Sequence, residues 1–282
     1  MGSMRSTEPG ASARWTVARP ARSGPVAGVS MAGFRDVGDG SVDVRVVPHP
    51  AVSLALECGD GPLVVDVDTG RHRRGSLVVG YMHGGLRVRG SKVECVQVRL
   101  SPVVAYAVLG VSPAELDHVV VTLDDLWGRD AARIRERLGE ARSWPDRFAL
   151  TEALIARRHE TGPSVDPEVA WAWRRIAAAR GRVRIDALAA EVGWSRTRLW
   201  SRFRAQIGLA PKRAAKLVRF DHAVHRLAAG GDAARTAAEG GYVDQSHLHR
   251  DVLAFSGMTP ATVAGQTWLA VDGLAWSGYA SP

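Results

Sequence analysis

Two short stretches of this 282-residue chain carry side chains suited to gripping an acidic, hydrogen-bonding surface. In the first, Arg196, Thr197, Arg198, Trp200, Ser201 and Arg204 fall within nine positions; in the second, Gln245, Ser246, His249 and Arg250 fall within six. Arg can hold guanine through two hydrogen bonds, Gln can hold adenine, and Ser or Thr can serve either base. Arginines at the margin of such a face suit phosphate oxygens, which set position without reading sequence. At about 100° per residue these side chains point away from Leu199, Phe203 and Ile207 in the first stretch. In the second they point away from Leu248, Val252 and Phe255. Neither outward face carries an acid, whereas a merely solvated helix more often pairs Glu with Lys.

The two stretches belong to an internal repeat. "LAAEVGWSRTRLWSRFRAQIGLAP" (188–211) aligns with "TAAEGGYVDQSHLHRDVLAFSGMTP" (236–260) if one residue is inserted after the glycine-aromatic pair. Each copy has a short helix carrying "AAE", a tight turn at Gly193-Trp194 or Gly241-Tyr242, and a second helix. That second helix ends at Gly208 or Gly257, ahead of Pro211 or Pro260. Helix, glycine turn and second helix make a helix-turn-helix, here present twice. Between the copies, "PKRAAKLVRFDHAVHRLAA" (211–229) reads as one long helix opened by a proline.

Charge is distributed to match. The whole chain is +8 at neutral pH, with 37 Lys/Arg against 29 Asp/Glu. Residues 172–265 hold sixteen basic and seven acidic side chains, +9, which leaves −1 for everything else. A basic third attached to a neutral remainder is the footprint of a polyanion-binding domain.

The remainder reads as a different architecture. Residues 1–40 are rich in Gly, Ser, Pro and Ala without a sustained period and are expected to be a flexible segment. From Ser41 the period becomes two. "SLALE", the turn "CGDG" and "LVVDVD" read as a hairpin, and the alternation to Leu100 predicts five or six strands. "SPVVAYAVLGV" then opens with Ser101 as N-cap and Pro102 at the first helical position. Ser112 and Glu115 are spaced as a capping box, and helices are predicted at about 130–140 and 144–159. The polar, proline-interrupted stretch 161–167 is the expected linker. The expectation is an α+β chain: an N-terminal small sheet or half-barrel domain with helices (41–160), then an all-α domain with two helix-turn-helix units (168–265), then a tail at 266–282 of undecided structure.

In residues 169–263 the chain resembles the AraC/XylS family of transcriptional regulators. The motifs are "LAAEVGWS", "LWSRF" and "GLAP", then Arg219, Ala223 and Leu227 on the connecting helix, and finally "GYVDQSHLHRD" with "GMTP". The resemblance implies that both second helices enter successive major-groove segments of double-stranded DNA. Carried over by position, it implies Arg196, Thr197, Trp200 and Ser201 as readers in the first unit, with Gln245, Ser246, His249 and Arg250 in the second. It further implies a cytoplasmic protein, RNA polymerase as a partner if the regulator is an activator, a small-molecule effector and a homodimer as options, and no enzymatic activity. Some positions depart from the family pattern. Ser201 stands where many members have Arg, Trp200 where a small or polar residue is usual, and Val252 where a phenylalanine is common. Thr236 takes the large apolar position that Leu188 fills in the first copy. A less well packed second unit is therefore expected. The N-terminal region resembles the cupin-like sensor domains of such regulators only loosely. An apolar, ligand-sized pocket between its strands would mark a sensor, whereas a solid core with an exposed apolar helix at 144–158 would mark a dimeriser.

Other chemistries fit less well. His222 with His225 and His247 with His249 lack the cysteine or acidic companions of a metal site, so the reading is no metal and no cofactor, with helix surface or DNA contact for these histidines. His72 and His83 are scattered in turn-like settings. The adaptive-response DNA methyltransferases, which share such binding units, need four zinc-bound cysteines, and only Cys58 and Cys95 occur here. Two cysteines without metal-type spacing also point to a reducing compartment. No apolar run is long enough for a membrane span, and the start lacks the apolar core of a secretory signal. A small-molecule-binding or enzymatic N-terminal domain with secondary DNA contact is the alternative reading.

Overall fold

The computed structural model describes residues 14–67, 71–82, 84–117 and 119–276. Its N-terminal part holds ten strands: β1 (Trp15–Ala18), β2 (Val29–Asp36), β3 (Val42–Val46), β4 (Val52–Glu57), β5 (Leu63–Val67), β6 (Arg71–Arg74), β7 (Leu77–Val79), β8 (Leu86–Gly90), β9 (Glu94–Leu100) and β10 (Val120–Thr122). They form two antiparallel sheets, a six-stranded one in the order β1-β2-β9-β4-β7-β10 and a four-stranded one in the order β3-β8-β5-β6.

The larger sheet is covered on both faces. Met31, Val52, Leu54, Leu56, Val96, Val98 and Leu100 join the core that the helices share. Ala32, Phe34, Leu77, Cys95 and Val120, from the same strands and their neighbours, pack with Val42, Leu63, Val65 and Leu86 of the smaller sheet. Period two dictates this, since successive side chains of one strand serve opposite layers.

Two expectations about this region are corrected. The predicted hairpin across "CGDG" does not form, because β4 pairs with β7 and β9 while β5 pairs with β6 and β8. The turn instead carries the chain from one sheet to the other. Both strands alternate, and alternation does not say which sheet a strand joins. The flexible segment expected at 1–40 is likewise ordered from residue 14: β1 and β2 lie in the larger sheet, with Met31, Ala32 and Phe34 buried. Only residues 1–13 of it lie outside the described residues. Among the described residues, seven strands, rather than five or six, lie between Val42 and Leu100.

Helices follow: α1 (Pro102–Leu109), a 3-10 turn (Pro113–Leu116), α2 (Leu123–Trp127), α3 (Arg129–Glu140) and α4 (Trp144–Thr161). Ser101 and Pro102 start α1, and Ser112 with Glu115 closes a capping box over the 3-10 turn. On α4, Phe148, Thr151 and Ile155 face the body, and Trp144, Leu150 and Leu154 are half-buried.

The C-terminal part is helical: α5 (Pro167–Ala178), α6 (Ile185–Glu191), α7 (Arg196–Ile207), α8 (Pro211–Ala228), α9 (Ala233–Glu239), α10 (Gln245–Ser256), α11 (Pro260–Ala264) and α12 (Thr267–Trp276). The tail therefore contains a helix, α12, which docks on β1, β2, β3 and α8. Its Trp268, Val271, Ala275 and Trp276 enter the core between the sheets. The last turns of both second helices touch the N-terminal part. The Ser112 hydroxyl donates to the Ala205 carbonyl of α7 at 2.7 Å. The Gly84 N–H donates to the Phe255 carbonyl of α10 at 2.9 Å, and Arg45 donates to the Gly84 carbonyl at 2.6 Å.

Candidate nucleic-acid interface

In each unit the first helix stops at a glycine whose backbone is left-handed, Gly193 at φ 69° and Gly241 at φ 73°. A side chain is strained in that region, which is why glycine ends the helix and redirects the chain here. The second helices then start on side-chain caps. Ser195 accepts from the Arg198 N–H at 3.2 Å, and Asp244 accepts from the His247 N–H at 2.6 Å. Each cap satisfies one of the unpaired amides of a helix start.

The faces sort as the sequence period implies. Leu199, Phe203 and Ile207 are fully buried, as are Leu248 and Val252, with Phe255 nearly so. Arg196, Thr197, Arg198, Trp200, Ser201 and Arg204 are all exposed on α7, and Gln245, Ser246, His249 and Arg250 are all exposed on α10. Aromatic rings hold two of the arginines. The Arg198 guanidinium lies 4.5 Å from the Trp194 ring centroid, and that of Arg204 lies 5.4 Å from Trp200. Arg202, on the flank, is held instead by two hydrogen bonds to Asp166 at 2.7 and 2.8 Å. That pair holds the Asp166 carboxyl below its usual range.

Asp251 of α10 turns inward. It is buried and ion-paired at 3.0 Å to both Lys216 and Arg219 of α8, which takes its charge away from the outward face. Arg219 also stacks on Tyr242 at 4.5 Å. Thr236 is buried too, and its hydroxyl has no hydrogen-bond partner among the described residues.

Two of the cavities among the described residues adjoin the sheets. One, of about 100 Å³, is apolar and sits between the two sheets. Val44, Val65, Leu77, Val88 and Cys95 line it, and Trp268 of α12 with Trp15 forms part of its wall. The other, of about 620 Å³, lies where the larger sheet meets α1, α5, α8 and α12, and its wall mixes apolar residues with the charged groups of Arg99, Asp221, His225 and Asp272. Here the structure corrects the reading of His225 as helix surface or DNA contact. Its Nδ1 donates to the Asp221 carbonyl at 2.8 Å, and its Nε2 faces the Asp272 carboxylate at 2.9 Å. His49, from the loop before β4, donates from Nδ1 to Asp221 at 2.8 Å and accepts from Arg99 at Nε2, also at 2.8 Å. Arg99 also pairs with Asp272.

Burial works against charge on His225. The hydrogen bond to Asp272 and the fields of Asp221 and Asp272 outweigh it and push its pKa up to about 9. Ligand atoms of His49, His225 and Asp272 lie within 4.8 Å of one another, a spacing a metal ion could use. The Arg99 guanidinium already supplies a cation there, donating to both His49 and Asp272. No sequence spacing foretold this cluster, because its members are drawn from residues 49, 99, 221, 225 and 272. His83 lies outside the described residues, and His72 pairs with Asp66 at 2.7 Å. Both cysteines are buried, and burial pushes the Cys58 thiol up to about 12 and Cys95 higher still. Neither has the character of a nucleophile at neutral pH.

Two capped second helices with outward-facing polar and basic side chains, joined by one long helix, are the parts of a DNA-binding transcription regulator, and comparison with known proteins agrees. Residues 188–266 match the family model of a helix-turn-helix domain, of AraC type. No curated protein matches the sequence. Among solved structures, the chain is similar to ToxT from Vibrio cholerae O395 (10% identity, covering 85% of this chain and 99% of that one, TM-score 0.48). It is also similar to the C-terminal domain of AraT, a response regulator from Geobacillus stearothermophilus (16% identity, 36% and 85%, TM-score 0.34). The AraC-like transcriptional activator CuxR follows at 16% identity, 68% and 81% coverage, and a TM-score of 0.25. These scores all lie below 0.5, and the assignment rests on the helix-turn-helix match. No described helix is long and apolar enough to cross a membrane.

Proposed function

We propose that the chain is a cytoplasmic, sequence-specific regulator that lays α7 and α10 in successive major-groove segments and responds to a small apolar molecule held between its two sheets. One observation carries the DNA reading: every residue assigned to base or phosphate contact, from Arg196 to Arg204 and from Gln245 to Arg250, is on the exposed face of a capped second helix. The acids nearest those faces are withdrawn into ion pairs or caps. Arg196, Arg198, Trp200 and Arg250 reach base edges or phosphates in this reading, with Thr197, Ser201, Gln245, Ser246 and His249 completing the two faces. Activation through RNA polymerase is the family's commoner mode and the one adopted here.

The apolar cavity supports a sensor rather than a dimeriser, since it is lined by strands of both sheets while Phe148 and Ile155 of α4 are buried against the body. Residues 41–160 form the sensor unit in this reading, 161–167 the linker and 168–265 the DNA-binding unit.

Genomic footprinting followed by sequencing of bound fragments tests the proposal. Two protected major-groove segments, about one helical turn or roughly 34 Å apart, are expected. Uniform, sequence-independent protection would overturn it.

A further inference from the structure

We propose that α12 is a strap that closes the apolar cavity and ties its occupancy to α8, the helix joining the two reading units; this rests on the cavity being the effector site. Three residues of α12 follow one another at four-residue intervals, which places them along one stripe of the helix. Trp268, the first, lines the cavity and packs 5.6 Å from Trp15 and 5.5 Å from Phe34, centroid to centroid. Asp272, one turn on, is 1% exposed and sits between Arg99 of β9 and His225 of α8. Trp276, a turn further, takes the Arg99 guanidinium over its ring at 4.3 Å.

A single short helix thus has one side chain in the cavity wall, one in the joint between sheet and connector, and one stacked on the arginine of that joint. Helices move as rods on this scale, so Trp268 and Asp272 are displaced together. The cavity of about 100 Å³ is smaller than most ligand pockets. A larger apolar guest must push Trp268 out, and that motion draws the Asp272 carboxylate from Arg99 and His225. Two cations then remain without their common anion in a partly buried joint, an unfavourable state that α8 relieves by shifting away from the sheet. Occupancy of the sensor is converted in this way into freedom of the helix that spaces α7 and α10.

The apolar fluorophore 1-anilinonaphthalene-8-sulfonate serves as probe on the full chain, with amide hydrogen exchange as the second readout. Trp268→Ala, with Trp268→Leu as the milder variant, is expected to bind the probe one-to-one and about 10-fold more tightly than the parent, because the binding-competent state no longer has to be opened. Asp272→Asn and His225→Gln change no residue of the cavity wall. They are expected to tighten probe binding about 3-fold or more by the same population argument and to speed exchange in both 267–276 and 221–228. Parent-like probe affinity in Asp272→Asn and His225→Gln, alongside tighter binding in the Trp268 variants, overturns the coupling. So does faster exchange confined to 267–276. Failure of both Trp268 variants to bind the probe overturns the effector reading of the cavity itself, and the strap with it.

Discussion

His225 and Asp272 stand 2.9 Å apart across the joint between the connector helix and the C-terminal helix, and the histidine's other nitrogen is already committed to the Asp221 carbonyl. A ring that donates from both nitrogens is an imidazolium. The groups facing it are Asp221 and His222 on its own helix, His49 and Arg99 from the sheet side, and Asp272 from α12. Its pKa is raised from 6.5 to about 9. A raised folded-state pKa gives stability that is fully present below the unfolded value and is lost as pH rises through the folded one. Stability is therefore expected to fall between about pH 6.5 and pH 9 by an amount that His225→Gln abolishes. Urea melts at a series of pH values check this, and a parent profile that is flat across the window counts against it.

Arg250→Ala is expected to cost about 1–3 kcal/mol in operator binding and to relax specificity at one half of the site. The arginine is exposed near the middle of the α10 outer face. Titration on operator and on random duplex separates its roles, because equal losses on both would demote it to a phosphate contact. Both affinities should fall steeply with salt, as counterions are released from the phosphates.

Thr236 is a buried hydroxyl without a partner among the described residues, at the place where the first unit buries Leu188. Thr236→Val removes the unsatisfied oxygen at nearly constant shape and is expected to stabilise the protein by about 1 kcal/mol. The same defect makes the second unit the more labile one. Hydrogen exchange should show less protection in 233–257 than in 185–207, and the reverse order would refute the idea.

Asp251 anchors α10 to α8 through Lys216 and Arg219. Asp251→Ala leaves the mostly buried Arg219 without its anion and is expected to cost about 3 kcal/mol. Chemical denaturation measures that loss. A change of a few tenths of a kcal/mol would show that Tyr242, which stacks on Arg219, suffices to hold the helix.

The second helices of both units were legible in the sequence because both kinds of information they need are local. The period of Leu199, Phe203 and Ile207 fixes which face is buried, and Gly193 and Gly241 fix where the chain turns. Residues 14–36 were not legible. Their glycines and serines mimic a loop, and only the pairing of β2 with β9 makes them a sheet strand. The "CGDG" turn misled for the same reason: a hairpin and a crossover between facing sheets have the same alternation on either side.

What the sequence determined by itself is the repeated helix-turn-helix, its exposed arginines and its apolar anchors, because neighbours three and four residues apart on a helix are spatial neighbours as well. The tertiary structure alone decided the rest. It paired strands distant in sequence, turned Asp251 inward, seated Trp268 in the sandwich, and gathered His49, Arg99, Asp221, His225 and Asp272 into one joint. Charges from such separate segments meet only when burial of the apolar layers around them brings the segments together, and no spacing along the chain encodes that meeting.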